Sequence, residues 1–365
     1  MSITTPPTIE TTHVEIGLHV RADERYIAPN GALVRALPDD LHEPAALVAL
    51  YRGLVRNRAF DEKASALQRT GRLGTYASSL GQEAVFVGAA SAMRADDVLV
   101  QSFREHGANL WRGAAPQEMF LYWGGDERGN SFAKAPGDLP ISVPVGSHSA
   151  HAAGVALALQ LRKEPRAVLC IFGDGATSKG DVYESINFAG VWNLPVVYVV
   201  NNNRWAISVP LHKQTAAGTI AQKALAAGIA GERVDGNDVV AVHDACARAL
   251  ATARSGGGAT LIEAVTYRLG DHTTSDDAAR YRSDDEVKPH WEEEPVRRLR
   301  AYLSANAGWT SANEEALLRD LKAEMDAAAD AYLAVPAQSP STIFDYTYAT
   351  LPAELQHQKE TAKLS

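Results

Sequence analysis

The sequence predicts an α/β fold: a doubly wound parallel sheet with an N-terminal arm and a helical C-terminal region. Two apolar runs of strand length, residues 166–172 and 195–200, flank a helical segment near residues 179–190. Strands joined through a helix in this way must be parallel, and the crossover is almost always right-handed. Strands and helices alternate between residues 43 and 290, which is typical of a doubly wound sheet.

Apolar spacing predicts the remaining elements in chain order. Helical periodicity marks residues 43–68, 82–93, 149–162, 238–254, 296–303, 313–333 and a last helix after Pro352. Shorter apolar runs predict strands at residues 97–100 and 259–267. Residues 124–148 predict a long loop, and a loop of this length in a compact domain usually has a function. We divide the chain into an arm over residues 1–42, a sheet-bearing domain over residues 43–290 and a helical region over residues 291–365.

Composition narrows the class of protein. Of the 365 residues, 46% are hydrophobic and 22% are charged, as in ordinary soluble proteins. The net charge of −9 disfavours nucleic acid or an anionic membrane as a partner, and no apolar run approaches the ~20 residues of a membrane span. Cys170 and Cys246 form neither a disulfide framework nor a zinc spacing, and the acidic start with Glu10 and Glu15 is unlike a secretory signal. The sequence therefore predicts a cytoplasmic protein.

Two consecutive strands of the predicted sheet end in hard oxygen ligands. Asp174 follows the first strand and Asn203 follows the second. Ligands of open α/β sheets bind beyond the carboxyl ends of the strands, and Mg²⁺ takes carboxylate, amide and carbonyl oxygens together with phosphate oxygens. Asp174, Asn203 and the backbone carbonyl of Trp205 would supply three such ligands.

Glycines around Asp174 favour a bound diphosphate. Gly173 and Gly175 let a ligand approach the backbone closely, and the amides of Gly175 and Ala176 open a helix whose N-terminus favours anions. Either strand end taken alone is also compatible with an ordinary turn. A nicotinamide-binding turn is a sharper alternative, but Ser178 replaces its third glycine and the next strand ends in carboxamides instead of an acidic residue. The paired ends favour a metal and a diphosphate.

The pair of strand ends resembles the thiamine-diphosphate signature, and further segments extend the match in family order. They are Ser102-Phe103-Arg104-Glu105-His106-Gly107, Gly175-Ala176-Thr177-Ser178-Lys179-Gly180-Asp181, Asn202-Asn203-Arg204-Trp205-Ala206-Ile207-Ser208, Arg233-Val234-Asp235-Gly236 and Tyr267-Arg268-Leu269-Gly270-Asp271-His272-Thr273-Thr274-Ser275-Asp276-Asp277. Together, from about residue 43 to the C-terminus, they resemble the alpha subunit of the decarboxylating first component of 2-oxo acid dehydrogenase complexes.

The resemblance implies roles for individual residues. Asp174, Asn203 and the carbonyl of Trp205 would hold Mg²⁺, and Arg104 would bind the diphosphate of the cofactor. Phe103 stands where the family usually has Tyr, and Asn201 stands where branched-chain relatives have Arg.

The long loop carries two further implied sites. The backbone at Ser142, Val143 and Val145 would lie along the aminopyrimidine ring of the cofactor. A potassium site of some relatives would fall at Ser142, Pro144, Ser147 and His148, but His148 departs from the amide-bearing residue expected there, so the sequence does not favour this site.

Two histidines are candidate catalytic residues. The resemblance places His272 in a loop over the cofactor, near its diphosphate and reacting centre, and with a pKa near neutrality His272 would aid proton transfer or stabilise the charge of the substrate carboxylate. His106 is a second and weaker candidate. Mitochondrial relatives carry a phosphorylated serine in the same loop. This chain has Thr273 there, and we expect no kinase control.

The resemblance also implies the activity, cofactors and partners. A 2-oxo acid would be oxidatively decarboxylated with thiamine diphosphate and Mg²⁺, and the acyl group would pass to a lipoyl-bearing acyltransferase. The glutamate that activates the cofactor would lie on a beta subunit, in a heterotetramer of two alpha and two beta chains, so the isolated chain would be inactive. A non-catalytic scaffold of the same fold is disfavoured because Asp174 and Asn203 are both present.

The substrate is not decided by these motifs. Residues 213–231 resemble bacterial pyruvate dehydrogenase alpha chains, whereas residues 272–283 resemble branched-chain enzymes equally well. One methylene changes binding by only ~1–3 kcal/mol. We expect pyruvate, with 3-methyl-2-oxobutanoate as the alternative.

Overall fold

A parallel five-stranded sheet forms the centre of the molecule. The computed structural model describes residues 24–345 and 347–363. The sheet strands are β1 (Val98–Val100), β2 (Val168–Gly173), β3 (Val196–Asn202), β6 (Ala230–Asp235) and β7 (Thr260–Val265). Their order is β1-β2-β3-β7-β6, and every neighbouring pair is parallel. A small antiparallel pair, β4 (Trp205–Ala206) and β5 (Val209–Pro210), follows β3.

Thirteen α-helices are found among the described residues. They are α1 (Pro44–Arg69), α2 (Glu83–Ser91), α3 (His106–Arg112), α4 (Pro116–Trp123), α5 (His148–Leu161), α6 (Gly180–Val191), α7 (Leu211–Gln214), α8 (Lys223–Ala226), α9 (Val239–Arg254), α10 (Asp284–Val287), α11 (Pro295–Asn306), α12 (Ser311–Leu333) and α13 (Ala353–Ala362). Short 3₁₀ helices cover Asp39–Leu41, Glu127–Asn130, Asp174–Ser178, Ile220–Gln222, Ala278–Arg280, Lys288–Glu293 and Pro340–Phe344. None of the described helices is both long and apolar enough to cross a membrane.

Helices cover both faces of the sheet, as the sequence predicts. Alternate strand residues such as Leu169 and Val197 face a core shared with α1, α2, α9 and α11. Their neighbours, such as Cys170 and Tyr198, face a second core shared with α5 and α6. Because both faces are buried, β2 and β3 are continuous apolar runs and not alternating patterns. The doubly wound fold is confirmed.

Among the α-helices and strands longer than four residues, three were not predicted from the sequence. The edge strand β6 contains Glu232 and Arg233 between its few apolar residues, so it has neither the apolar run of a buried strand nor a clear alternation. The helices α3 and α4 are seven and eight residues long, which is too short for a reliable helical period. The long loop predicted for residues 124–148 is interrupted only by the 3₁₀ turn Glu127–Asn130 and by the start of α5.

The part of the N-terminal arm that the structure describes follows the β6 edge. The amides of Tyr26 and Ile27 donate to Asp238 Oδ2, at 2.6 and 2.8 Å, and Glu24 forms a parallel bridge with Val234. Residues 1–23 lie outside the described residues. At the other end of the chain, α11 and α12 pack against α1. The division into three parts remains a prediction.

Candidate functional site

A cavity of about 200 Å³ opens beyond the carboxyl ends of β2 and β3. Gly173 pairs with Asn201 in the register of these strands, so the turns that follow place Asp174 and Asn203 on one cavity. Its walls are Ser102, Phe103, Arg104, Glu105, Val145, Gly146, His148, Phe172, Gly173, Asp174, Gly175, Ala176, Asn201, Asn203, Trp205, Ala206, Ile207 and His272. Of the predicted site residues, only His106, Ser142 and Val143 are not among them.

Asp174 is a buried carboxylate that lines this cavity. Only 1% of its surface is exposed, and Oδ2 accepts a hydrogen bond of 2.7 Å from Gln214 Nε2. Burial raises the pKa of Asp174 to about 6, because a charged carboxylate is poorly solvated there. A bound cation would stabilise the charged form.

Asn203 and Trp205 line the same cavity. The Trp205 N–H donates to Asn203 Oδ1 at 3.1 Å, and Asn203 Nδ2 donates to Gln82 Oε1 at 2.8 Å. The carbonyl of Trp205 accepts a hydrogen bond of 3.4 Å from Arg268 Nη1. Arg204 between them adopts a left-handed conformation with φ of 68°, which produces the bend that turns both residues toward the cavity.

Two guanidinium groups lie at or next to the cavity: Arg104 lines it, and Arg268 contacts the lining residues Trp205, Ile207 and His272. Arg104 Nη1 donates to the carbonyl of Ser78, and its Nη2 donates to the carbonyl of His272 at 2.9 Å. Arg268 Nη2 donates to the Ile207 carbonyl at 2.8 Å and to the Tyr281 hydroxyl at 2.7 Å. Burial and the nearby Arg268 cation lower the pKa of Arg104 to about 10. Among the described residues neither group forms an ion pair, so the pair is suited to an anion.

His272 lies between the two guanidinium groups. Its Nδ1 is 3.1 Å from Arg104 Nη2 and 3.5 Å from Arg268 Nη1. Since a guanidinium can only donate, Nδ1 is the acceptor and the proton of the neutral ring is on Nε2. Burial and the two cations lower the pKa of His272 to about 3. The expected near-neutral pKa is therefore not found, and His272 is a neutral ring whose Nδ1 accepts from Arg104.

His106 lies in an aromatic cluster behind the cavity. Its ring stacks on Tyr76 with centroids 5.1 Å apart and also contacts Phe60 and Trp123. Its Nε2 is 2.9 Å from the carbonyl of Ala77, and burial lowers the pKa of His106 to about 4. The geometry does not support direct contact with a ligand, because the ring is buried away from the cavity.

The residues of the long loop are only partly at the cavity. Val145 lines it, whereas Ser142 and Val143 lie beside it. The hydroxyls of Ser142 and Ser147 are 3.1 Å apart, and Ser147 Oγ donates to the Pro144 carbonyl at 2.9 Å. The oxygens expected at a potassium site are therefore hydrogen-bonded to one another, and His148 Nε2 faces the carbonyl of Ile171.

The two glycines beside Asp174 differ in their role. A Cβ added at Gly175 would lie 2.8 Å from Ala206 Cβ, whereas one added at Gly173 would meet no atom within 4 Å. Gly175 is therefore required by close packing of the turn against β4. Gly173 leaves open space that a ligand could use.

No role was assigned from the sequence to four long polar side chains at the site, those of Arg268, Glu105, Gln82 and Gln214. Arg268 and Glu105 lie within family motifs, and their position in those motifs was the available signal. Gln82, just before α2, contacts Asn203, and Gln214, at the end of α7, contacts Asp174. No spacing rule connects them to the strand ends, because the contacts are long-range.

Comparison with known proteins shows the family of the chain. Residues 51–341 match the family described as "Dehydrogenase E1 component". The chain is 43% identical over 311 residues to the 3-methyl-2-oxobutanoate dehydrogenase subunit alpha of Mycobacterium tuberculosis, covering 85% of each chain. It is 38% identical over 339 residues to the pyruvate dehydrogenase E1 component subunit alpha of Acholeplasma laidlawii, covering 92% of this chain and 97% of that one. The equivalent Bacillus subtilis subunit is 38% identical over 340 residues, covering 93% and 90%. The chain therefore belongs to the dehydrogenase E1 component family.

Proposed function

We propose that this chain is the alpha subunit of a 2-oxo acid dehydrogenase E1 component that acts on pyruvate with thiamine diphosphate and Mg²⁺. One observation carries the proposal: the buried carboxylate of Asp174 shares its cavity with the guanidinium of Arg104. Arg104 and the neighbouring Arg268, which contacts the lining residues Trp205, Ile207 and His272, have no carboxylate partner among the described residues. Within the described part of the chain, the Asp174 carboxylate lacks a cationic partner, and the guanidinium groups lack an anionic one. A magnesium ion bound to a diphosphate would supply both.

The residues present fit these groups. The Asp174 carboxylate, Asn203 Oδ1 and the Trp205 carbonyl would hold Mg²⁺, and Arg104 with the Nε2–H of His272 would donate to the diphosphate. Gly175 and Ala176 would present their amides to it. When bound, thiamine diphosphate supplies the nucleophilic carbon and the electron sink for decarboxylation.

We assign the remaining chemistry to partner chains. A beta subunit would complete the cofactor site in a heterotetramer of two alpha and two beta chains, and a lipoyl-bearing acyltransferase would accept the acyl group. Cys170 and Cys246 are both free and buried, which suits a reducing cytoplasm.

A second substrate is favoured by one finding. The Mycobacterium tuberculosis relative, at 43% identity, is named for 3-methyl-2-oxobutanoate. The deciding measurement is the rate of decarboxylation of pyruvate and of 3-methyl-2-oxobutanoate by the chain co-expressed with its beta subunit. We expect the higher kcat/KM with pyruvate; a large preference for the branched acid would reverse the substrate assignment.

Asp174→Ala tests the metal assignment in the same preparation. The variant removes the only carboxylate among the residues lining the described cavity besides Glu105, so Mg²⁺-dependent binding of thiamine diphosphate should be abolished. Unchanged cofactor affinity in a binding titration would contradict the proposed function.

A further inference from the structure

A chain of side-chain hydrogen bonds lies behind the proposed metal ligands. Asn203 Nδ2 and Asn201 Nδ2 both donate to the same atom, Gln82 Oε1, at 2.8 Å each. Thr266 Oγ1 donates to Asn201 Oδ1 at 2.9 Å. All four residues are buried. Gln82, just before α2, therefore joins the ends of β3 and β7.

The direction of these bonds is determined by one backbone group. The Trp205 N–H can only donate, so the atom of Asn203 that lies 3.1 Å from it must be the carbonyl oxygen Oδ1. The other atom, Nδ2, is then the donor to Gln82. Because Gln82 Oε1 accepts this bond, the same oxygen must also accept the bond from Asn201 Nδ2.

This arrangement decides which atom of Asn203 is available to a cation. Oδ1 has two lone pairs, and the Trp205 N–H uses one of them. The second is free for a metal ion. If the amide were rotated by half a turn, an NH₂ group would face both the Trp205 N–H and the cation, and both contacts would be repulsive. The acceptor at Gln82 opposes that rotation.

The role of Gln82 as an acceptor leaves its own amide N–H groups without a partner in the described part of the chain. Its Nε2 is buried and has no hydrogen-bond partner among the described residues, and an orphaned buried donor is unfavourable. A carboxylate at this position would accept from both asparagines and would leave no orphaned donor. A methionine would keep the shape and remove the acceptor.

We propose, on the basis of the proposed function, that Gln82 is a positioning residue that holds the amide of Asn203 with Oδ1 toward the bound Mg²⁺. Gln82 does not line the cavity and acts only through Asn203. Outer-sphere partners of this kind typically change metal affinity by about 10- to 100-fold.

The test is a Mg²⁺ titration of the chain co-purified with its beta subunit, at fixed thiamine diphosphate. The readout is the change in tryptophan fluorescence, since Trp205 lies at the site. Gln82→Met should raise the Mg²⁺ concentration at half-saturation by about tenfold or more, whereas Gln82→Glu should stay near wild type. Thr266→Val changes the far end of the hydrogen-bond chain and should raise the half-saturating Mg²⁺ concentration by less. This variant keeps the proposal testable if Gln82→Met does not fold.

Gln101→Met is the matched control. Gln101 is an equally buried glutamine, but its Nε2 donates to the Leu139 carbonyl and not to a proposed ligand. Thermal melting of both Met variants measures the general cost of losing a buried amide. Three results would overturn the proposal. The first is an unchanged Mg²⁺ titration for both Gln82→Met and Thr266→Val. The others are a rise in the half-saturating Mg²⁺ concentration for Gln101→Met or for Gln82→Glu that equals the rise for Gln82→Met. Asp174→Ala separates this result from the proposed function, because retained Mg²⁺-dependent binding in that variant contradicts the metal site itself.

Discussion

At the scale of single residues, the site is dominated by titratable groups that are buried in the folded chain. Asp174 and Glu105 are carboxyls whose pKa values burial raises to about 6 and about 7. Arg104 and His272 show the opposite effect, with pKa values lowered by burial. A folded chain maintains such groups at the expense of stability, which is common at binding sites.

Glu105 allows a direct test of how a buried titratable group lowers the stability of the folded chain. Its carboxylate accepts from Ser102 Oγ at 2.9 Å, yet its pKa rises from 4.5 to about 7 because of burial. Between these pH values the unfolded chain ionises Glu105 and the folded chain keeps it protonated, so its contribution to stability falls as pH rises. Relative to wild type, Glu105→Gln should gain roughly 3 kcal/mol in free energy of unfolding from pH 4.5 to pH 7. Urea unfolding at several pH values measures this, and a pH-independent difference would contradict it.

At the scale of elements, two turns and one loop shape the cavity. The turn after β2 packs on β4 at Gly175. The loop of residues 270–282 is held over the cavity by Tyr281, whose hydroxyl donates to Asp276 and accepts from Arg268. Arg282 donates to the carbonyls of Arg268 and Leu269 and secures the base of the loop.

The glycine pair predicts contrasting effects on stability. Gly175→Ala places a Cβ 2.8 Å from Ala206 Cβ, and the overpacking should cost about 1–3 kcal/mol. Gly173→Ala is the control: its φ of −78° suits any residue and its Cβ meets no neighbour, so thermal melting should stay near wild type. Equal melting temperatures for the two variants would show that the turn can relax.

The loop can be probed by proteolysis. Tyr281→Phe removes the hydroxyl that joins Asp276 to Arg268 while keeping the ring. We expect faster trypsin cleavage after the exposed Arg280 in the ligand-free protein, since local opening becomes easier. Tyr183→Phe, on the exposed side of α6, is the control. Mass spectrometry identifies the cut, and equal cleavage rates would mean that other contacts hold the loop.

At the scale of the whole molecule, the cavity has an apolar and exposed rim. Val143 and Val145, in the long loop, are 56% and 45% exposed. Exposed apolar side chains of this kind are suited to burial by another chain. The proposed beta subunit would cover them and supply the group that activates the cofactor.

This arrangement predicts that the isolated chain has no decarboxylase activity with pyruvate or 3-methyl-2-oxobutanoate. Addition of the beta subunit should restore turnover, measured as carbon dioxide release with thiamine diphosphate and Mg²⁺ present. Turnover by the chain alone would contradict the two-chain site.

The sequence alone determined the parts of the protein that depend on local pattern and on contiguous motifs. Buried parallel strands are long apolar runs, so β2, β3 and the fold class could be predicted, and with them the position of Asp174 and Asn203 at one sheet edge. Family motifs identified Arg104 and the His272 loop. The short helices α3 and α4 and the polar edge strand β6 carried too weak a pattern.

Only the tertiary structure decided how these residues act on one another. It placed His106 in an aromatic cluster, set His272 as a neutral acceptor between two arginines, and brought Gln82 and Gln214 to Asn203 and Asp174 from distant segments. Hydrogen-bond direction and desolvation depend on neighbours that are far apart in the chain, and for that reason the sequence could not specify them.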